Sequence, residues 1–276
     1  METIGFLSIQ IVLLFVVTSV HTYLGLHIIR RGIVFSDLSL DQLAAFGVIA
    51  GIGMGIQGGS TGSYFVSFIA VLIGSVLLAY VKPKNKNIPH EAVIGIIYGL
   101  ALVASIMVAE KISGGTAYVT QTLAGVMLWV NWPLVLVTVV VYAGLSIFHY
   151  KFREKFISIT ERRRSLPDEN FWDLLFFVSL GIITVLIVPI AGVLLAYGFL
   201  MIPAAIAALF TKEWGRALRI GWSIGFVASL TGLTLSYVFN LPYGPTLVLA
   251  LGVFFICALV LRCFIPQRDA GSGAIE

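Results

Sequence analysis

The sequence predicts an all-α polytopic membrane protein with about nine transmembrane helices and one short re-entrant or interfacial segment. Three observations predict it. The 276 residues are 59% hydrophobic and only 11% charged, whereas soluble domains carry about 25% charged residues. Mean hydropathy is +1.03, so too few polar side chains exist to cover the chain in water. The apolar residues come in runs of about 20, the length a helix needs to cross the hydrocarbon core. Together these exclude a soluble globular enzyme.

The runs fall near 4–29, 38–57, 62–81, 91–109, 133–149, 171–188, 190–210, 216–239 and 244–264. The first lacks a basic leader, begins beside Glu2 and runs into Arg30 and Arg31. That pattern predicts an ordinary first span rather than a cleaved signal peptide. The run 171–210 carries one charge, Asp173. As a single helix it would reach about 60 Å, twice the hydrocarbon core. It must fold back, and Pro189 with Gly192 supplies the break. The stretch 117–130 is too short to cross and long enough to re-enter or lie at the interface. Trp129 and Trp132 suit the aromatic belt there.

Basic residues set the expected topology. With nine spans, 16 of the 17 Lys and Arg fall on one side and only Lys111 on the other. A tenth span at 117–130 would move the basic loop 150–170 outside, so it is rejected. The N-terminus is then expected outside and the C-terminus in the cytoplasm. One transmembrane domain is expected over 1–265, with a flexible polar cytoplasmic tail at 266–276. The net charge of +4 reflects cytoplasmic anchors in a lipid bilayer rather than a nucleic-acid surface. Cys257 and Cys263 form no disulfide framework or CxxC motif.

No phosphate-binding loop occurs, since Gly-Lys is absent, and no HExxH, GxSxG or catalytic carboxylate pair is present. No catalytic residue and no enzyme activity are therefore expected. Gly47, Gly51, Gly55 and Gly59 recur every fourth residue, a ridge that lets helices approach closely in lipid. It reads as ordinary packing or as a seam that slides. Asp37 and Asp41 lie one turn apart at the start of the second span, followed by Gln42. Asp37 fits a helix N-cap. Asp41 is deeper, and an ionisable group inside a span points to a polar pathway or to an interfacial cap. His21 and His27 do not share a helix face and do not form a His-x3-His ligand pair. His90 and Glu91 open the fourth span, where Glu91 suits the helix dipole. In 210–221, Lys212, Arg216 and Arg219 form one stripe and Phe210, Trp214, Ala217 and Gly221 another. A short amphipathic helix there would dock a soluble partner or anchor at the headgroups. Beyond Arg162, Arg163 and Arg164, Pro167 with Asp168 and Glu169 reads as the next helix start.

At these residues the chain resembles the permease subunits of ABC transporters that import zinc, manganese or iron. The matching blocks are YLGLHIIRRGIVFSDLSLDQLAAFG, EAVIGIIYGLA, LAGVMLWVNWP, AGVLLAYGFLMIPAAIAALF and GLTLSYVFNLPYGPTLVLALG, in that order. The resemblance implies a bacterial inner-membrane subunit that pairs with a second copy. It also implies two cytoplasmic ABC ATPases, which hold the ATP and magnesium, and an extracytoplasmic solute-binding protein. This chain itself would bind no cofactor. Coupling to the ATPase would run through a coupling helix at 209–219, with Lys212, Glu213, Trp214, Arg216 and Arg219, below a kink at Pro203. The translocation path would use Asp41, Gln42, Asp37 and His21. Many members carry an Asp and a His four residues apart in the second span. Those positions are Leu38 and Gln42 here, with Asp37 and Asp41 offset by one, so the family's metal ligands do not carry over. A permease for a metal chelate, such as a siderophore or cobalamin, and a stand-alone secondary transporter are the alternatives.

Overall fold

In the computed structural model the described residues are 2–83, 87–125, 130–162 and 167–264. Among them there are ten helices and no strand. They are α1 (Glu2–Arg31), α2 (Phe35–Gly53), α3 (Thr61–Tyr80), α4 (His90–Ala109), α5 (Gly115–Ala124), α6 (Trp132–Lys151), α7 (Arg153–Glu161), α8 (Glu169–Phe210), α9 (Trp214–Phe239) and α10 (Tyr243–Phe264). Eight of these are long and apolar enough to cross a membrane. Local signals set their ends. Ser60 caps α3 by accepting from the Ser63 N–H at 3.3 Å. Asn131 caps α6 by accepting from the Leu134 N–H at 3.1 Å, with Pro133 in the first turn. Asn240 closes α9 in the left-handed conformation.

Helix α8 occupies the centre and is the most buried crossing. Its 42 residues contain one non-helical position, Gly192, at φ 77° and ψ 162°. That region is open essentially to glycine alone. The chain reverses there. Asp173 near the start of α8 pairs with Arg31, while Lys212 just past its end holds Arg30, the neighbouring residue of α1. Both ends of α8 thus lie together, and α8 crosses twice. Among the described residues nine crossings result, with the break at Gly192 rather than at Pro189. Pro203 introduces no such break: the backbone stays helical, and its ring packs against α9. A Cβ on Gly225 would lie 2.8 Å from Pro203 Cβ.

Helix α5, ten residues long, is the short segment expected at 117–130. It starts and ends at the face opposite Arg31, between the far ends of α4 and α6. Gly125 after it abuts the α8 turn, where a Cβ would lie 2.1 Å from the Ala191 carbonyl oxygen. Trp129 lies outside the described residues, as do Lys84, Lys86, Arg163, Arg164, Arg268 and the tail expected at 266–276. Trp132 begins α6. The loop 150–170 holds a helix that sequence periodicity did not suggest, α7.

The glycine ridge is shorter than the fourfold spacing implies. Gly47 meets α3 backbone to backbone: a Cβ there would lie 2.4 Å from Ser67 Cα. At Gly51 the same distance is 3.8 Å, an ordinary contact. Gly55 and Gly59 are not on the helix at all. They lie in the turn after α2 at φ +83° and +75°, with no neighbour within 4 Å of an added Cβ. These two glycines serve the turn and not helix packing, because α2 ends at Gly53.

Candidate functional site: a buried acid pair below a cation-rich mouth

Helix α2 starts at Phe35, with Val34 at the cap position and no side-chain cap. Asp37 is therefore not the N-cap but a residue of the first turn, and both Asp37 and Asp41 are buried, at 2% and 1% exposure. One turn apart, they face the middle of the bundle. The Thr184 hydroxyl of α8 donates to Asp41. One carboxylate oxygen of each, Oδ2, is buried without a hydrogen-bond partner. Gln42 is also buried and donates from Nε2 to Ser105 Oγ at 3.3 Å, leaving its Oε1 unpartnered. Ser39 on the same helix donates to the Ile94 carbonyl at 2.8 Å and ties α2 to α4.

Tyr142 of α6 joins this pair to His21. Its ring lies 5.8 Å from the His21 ring, and its hydroxyl donates to the Ile183 carbonyl at 3.3 Å, one residue before Thr184. His21 donates from Nδ1 to the Val17 carbonyl at 3.0 Å, which makes Nε2 the lone-pair nitrogen of the neutral ring. Of the four residues expected on the path, Asp41 meets Thr184 and His21 packs on Tyr142, Asp37 lies one turn from Asp41, and Gln42 turns to Ser105 of α4. Neither Tyr142 nor Thr184 stood out in sequence, because a single Tyr or Thr in an apolar span carries no periodic signal. The site is rich in oxygen donors. Among the described residues no group of three or more His, Cys, Asp or Glu is placed to hold a metal ion.

Next to the acid pair the bundle ends in a cation-rich mouth. A cavity of about 900 Å³ is lined there by Arg30, Arg31, Lys82, Arg162, Asp173 and Lys212, among others. Asp173, on α8, bridges two other elements: Arg31 Nη2 lies 2.6 Å from Oδ1, and Lys82 pairs with Oδ2. The amphipathic segment forms part of the same end but is not a separate helix. Residues 209–210 finish α8, 211–213 turn, and 214 opens α9. The turn is clamped by Arg30 donating to the Lys212 carbonyl at 2.8 Å and Arg262 donating to the Leu209 carbonyl at 3.0 Å. Trp214 points inward. Its indole N–H donates to Glu161 of α7, Arg30 sits 4.0 Å over its ring, and the His27 ring centroid lies 4.5 Å away. Lys212, Glu213, Arg216 and Arg219 face outward, with Arg216 paired to Glu213 at 3.0 Å.

The model of the family described as "ABC 3 transport family" matches residues 4–262. A Chlamydia trachomatis protein named "Probable metal transport system membrane protein" is 25% identical over 71% of this chain and 66% of its own length. This chain therefore spans just under two thirds of that relative. The Listeria innocua "Manganese transport system membrane protein MntC" is 24% identical over 96% of this chain and 92% of its own. The structure of PsaBC from Streptococcus pneumoniae in complex with Fab superposes with a TM-score of 0.76 at 22% identity, covering 92% of this chain and 91% of that one. At that identity the likeness shows a shared fold.

Proposed function

This chain belongs to the ABC 3 transport family, and we propose that it is the membrane-spanning permease of an ATP-driven importer whose cargo is manganese. The buried acid pair carries the reading. Two carboxylates in lipid-spanning helices, each with an unpartnered oxygen, are costly unless a cation passes them. Carboxylate, amide and hydroxyl oxygens from Asp37, Asp41, Gln42 and Thr184 suit a hard divalent ion such as manganese better than they suit zinc. The Listeria relative and the Streptococcus gordonii "Manganese import system permease protein ScaB" carry manganese in their names, which supports the same cargo. Zinc and iron are the other ions this family reading admits.

In this proposal a second copy of the chain completes the channel, and the cation-rich end faces the cytoplasm. ATPase subunits dock on the exposed stripe Lys212, Glu213, Arg216 and Arg219, and Trp214 passes their movement to α1 and α7. A solute-binding protein delivers the ion at the opposite face, beside α5. ATP and magnesium stay with the ATPase.

The test is whole-cell metal content in a strain lacking the gene, complemented with wild type or with Asp41→Asn. Wild type restores manganese, and Asp41→Asn does not, at equal membrane abundance. Restoration of manganese by Asp41→Asn to the wild-type level overturns the pathway. A deletion that lowers zinc or iron while sparing manganese overturns the cargo.

A further inference from the structure

A second cavity opens on the membrane side of the bundle, apart from the acid pair. It has a volume of about 670 Å³, within the range of about 300–1,000 Å³ typical of small-molecule sites. Its walls are α6 with α7 on one side and α9 on the other, and residues of α1, such as Val20 and Leu24, line it between them. Most of the lining is apolar. Two polar side chains break that pattern. His149 is 4% exposed, and neither ring nitrogen has a hydrogen-bond partner; the Tyr23 hydroxyl has none either. Neutral histidine and tyrosine each hold at least one N–H or O–H donor, and burying such donors unpaired is unfavourable. Arg153 stands in the lining at the cation-rich end, 5.1 Å over the Tyr150 ring. Trp214 flanks the cavity there, while Trp222 lies two turns deeper on α9, its indole N–H donating to the Ser19 carbonyl at 2.9 Å.

The order of chemistry along the cavity is apolar, then buried donors, then a cation. We infer that the cavity between α1, α6 and α9 is a binding site for an anionic phospholipid of the cation-rich leaflet. The acyl chains fill the apolar part against Val20 and Leu145. The ester carbonyls accept from His149 and Tyr23. The phosphate lies at Arg153. Trp214 lies in the same wall and carries the proposed coupling contact, so the lipid touches the segment that moves with the ATPase.

Native mass spectrometry of the full-length protein in mild detergent, with equal phosphatidylglycerol and phosphatidylcholine, tests this. Wild type retains phosphatidylglycerol over phosphatidylcholine by about fivefold, the selectivity one interfacial Arg supplies. Arg153→Gln brings the two lipids level. Ser146→Trp fills the cavity and loses both, while Ser146→Ala binds as wild type. Arg153 and Ser146 are both exposed, so the first variant tests headgroup selectivity independently if the bulky one fails to fold. Equal retention of the two lipids by wild type, or retention unchanged in Ser146→Trp, overturns the site. A dimer that Ser146→Trp dissociates with lipid retention unaltered also overturns it, and gives the cavity to a second copy.

Discussion

Arg31 and Asp173 meet at 2.6 Å, the one at the end of α1 and the other at the start of α8. Their side chains are only 12% and 2% exposed, and Lys82, two residues past the end of α3, shares the same carboxylate. Three crossings are thus tied at one point beside the acid pair. A buried charge left without its partner costs about 3–5 kcal/mol. Asp173→Asn leaves Arg31 so placed. Its thermal unfolding in detergent is expected well below wild type, with a loss near the lower end of that range because Lys82 reaches water. An unchanged unfolding temperature would show that the tie contributes nothing.

Gly47 and Gly55 separate packing from turn geometry. Gly47→Ala pushes a methyl group into the backbone of α3 at Ser67, and overpacking of that kind costs about 1–3 kcal/mol. Gly55→Ala meets no neighbour and carries only the left-handed backbone penalty of about 1 kcal/mol. Gly47→Ala is therefore expected to be the less stable of the two in the same unfolding measurement. The reverse order would restore the continuous ridge.

Two of the contacts Trp214 makes are separable. Trp214→Phe keeps a ring under Arg30 and loses the hydrogen bond to Glu161; Trp214→Ala loses both. Uptake should fall stepwise, from wild type through Phe to Ala, at constant membrane abundance. Arg216→Glu, on the outer surface, should abolish co-purification of the ATPase without changing thermal stability. Full co-purification by Arg216→Glu would remove the outward stripe from the docking surface.

Tyr142→Phe removes one buried hydrogen bond, to the Ile183 carbonyl, worth about 1 kcal/mol. The ring against His21 stays. Manganese uptake is expected to fall at wild-type abundance, because the hydroxyl fixes α6 beside Thr184 and Asp41. Full uptake would make Tyr142 a packing residue only.

The fold was legible where composition alone decides. Runs such as 62–81 and 91–109 have no solvent but lipid, so α3 and α4 sit within a residue or two of those bounds. The reversal in 171–210 followed from its length, since no membrane accommodates a straight helix of that span. Two things were not legible. Spacing made Gly55 look like part of a helix face, because period alone does not reveal where a helix stops. The stripe at 210–221 looked like a separate helix, because the amphipathic pattern continues across a turn that needs only three residues. At the site, the two acids were visible because charges in spans are scarce. Tyr142 and Thr184 were not, because their meaning lies in distances across α6, α8 and α2 that no single run encodes.

The contact between Gly125 and the Ala191 carbonyl has a mechanical consequence. Gly125 and Gly192 hold nearly the same backbone shape, φ 79° with ψ 164° and φ 77° with ψ 162°, and Gly125 has no room for a side chain against the Ala191 carbonyl. With no Cβ between them, the surfaces touch without slack. The α8 elbow cannot open or close without carrying the end of α5 along. Among the described residues at the end of the bundle away from Arg31, α5 and the central hairpin are thus built to travel as one piece.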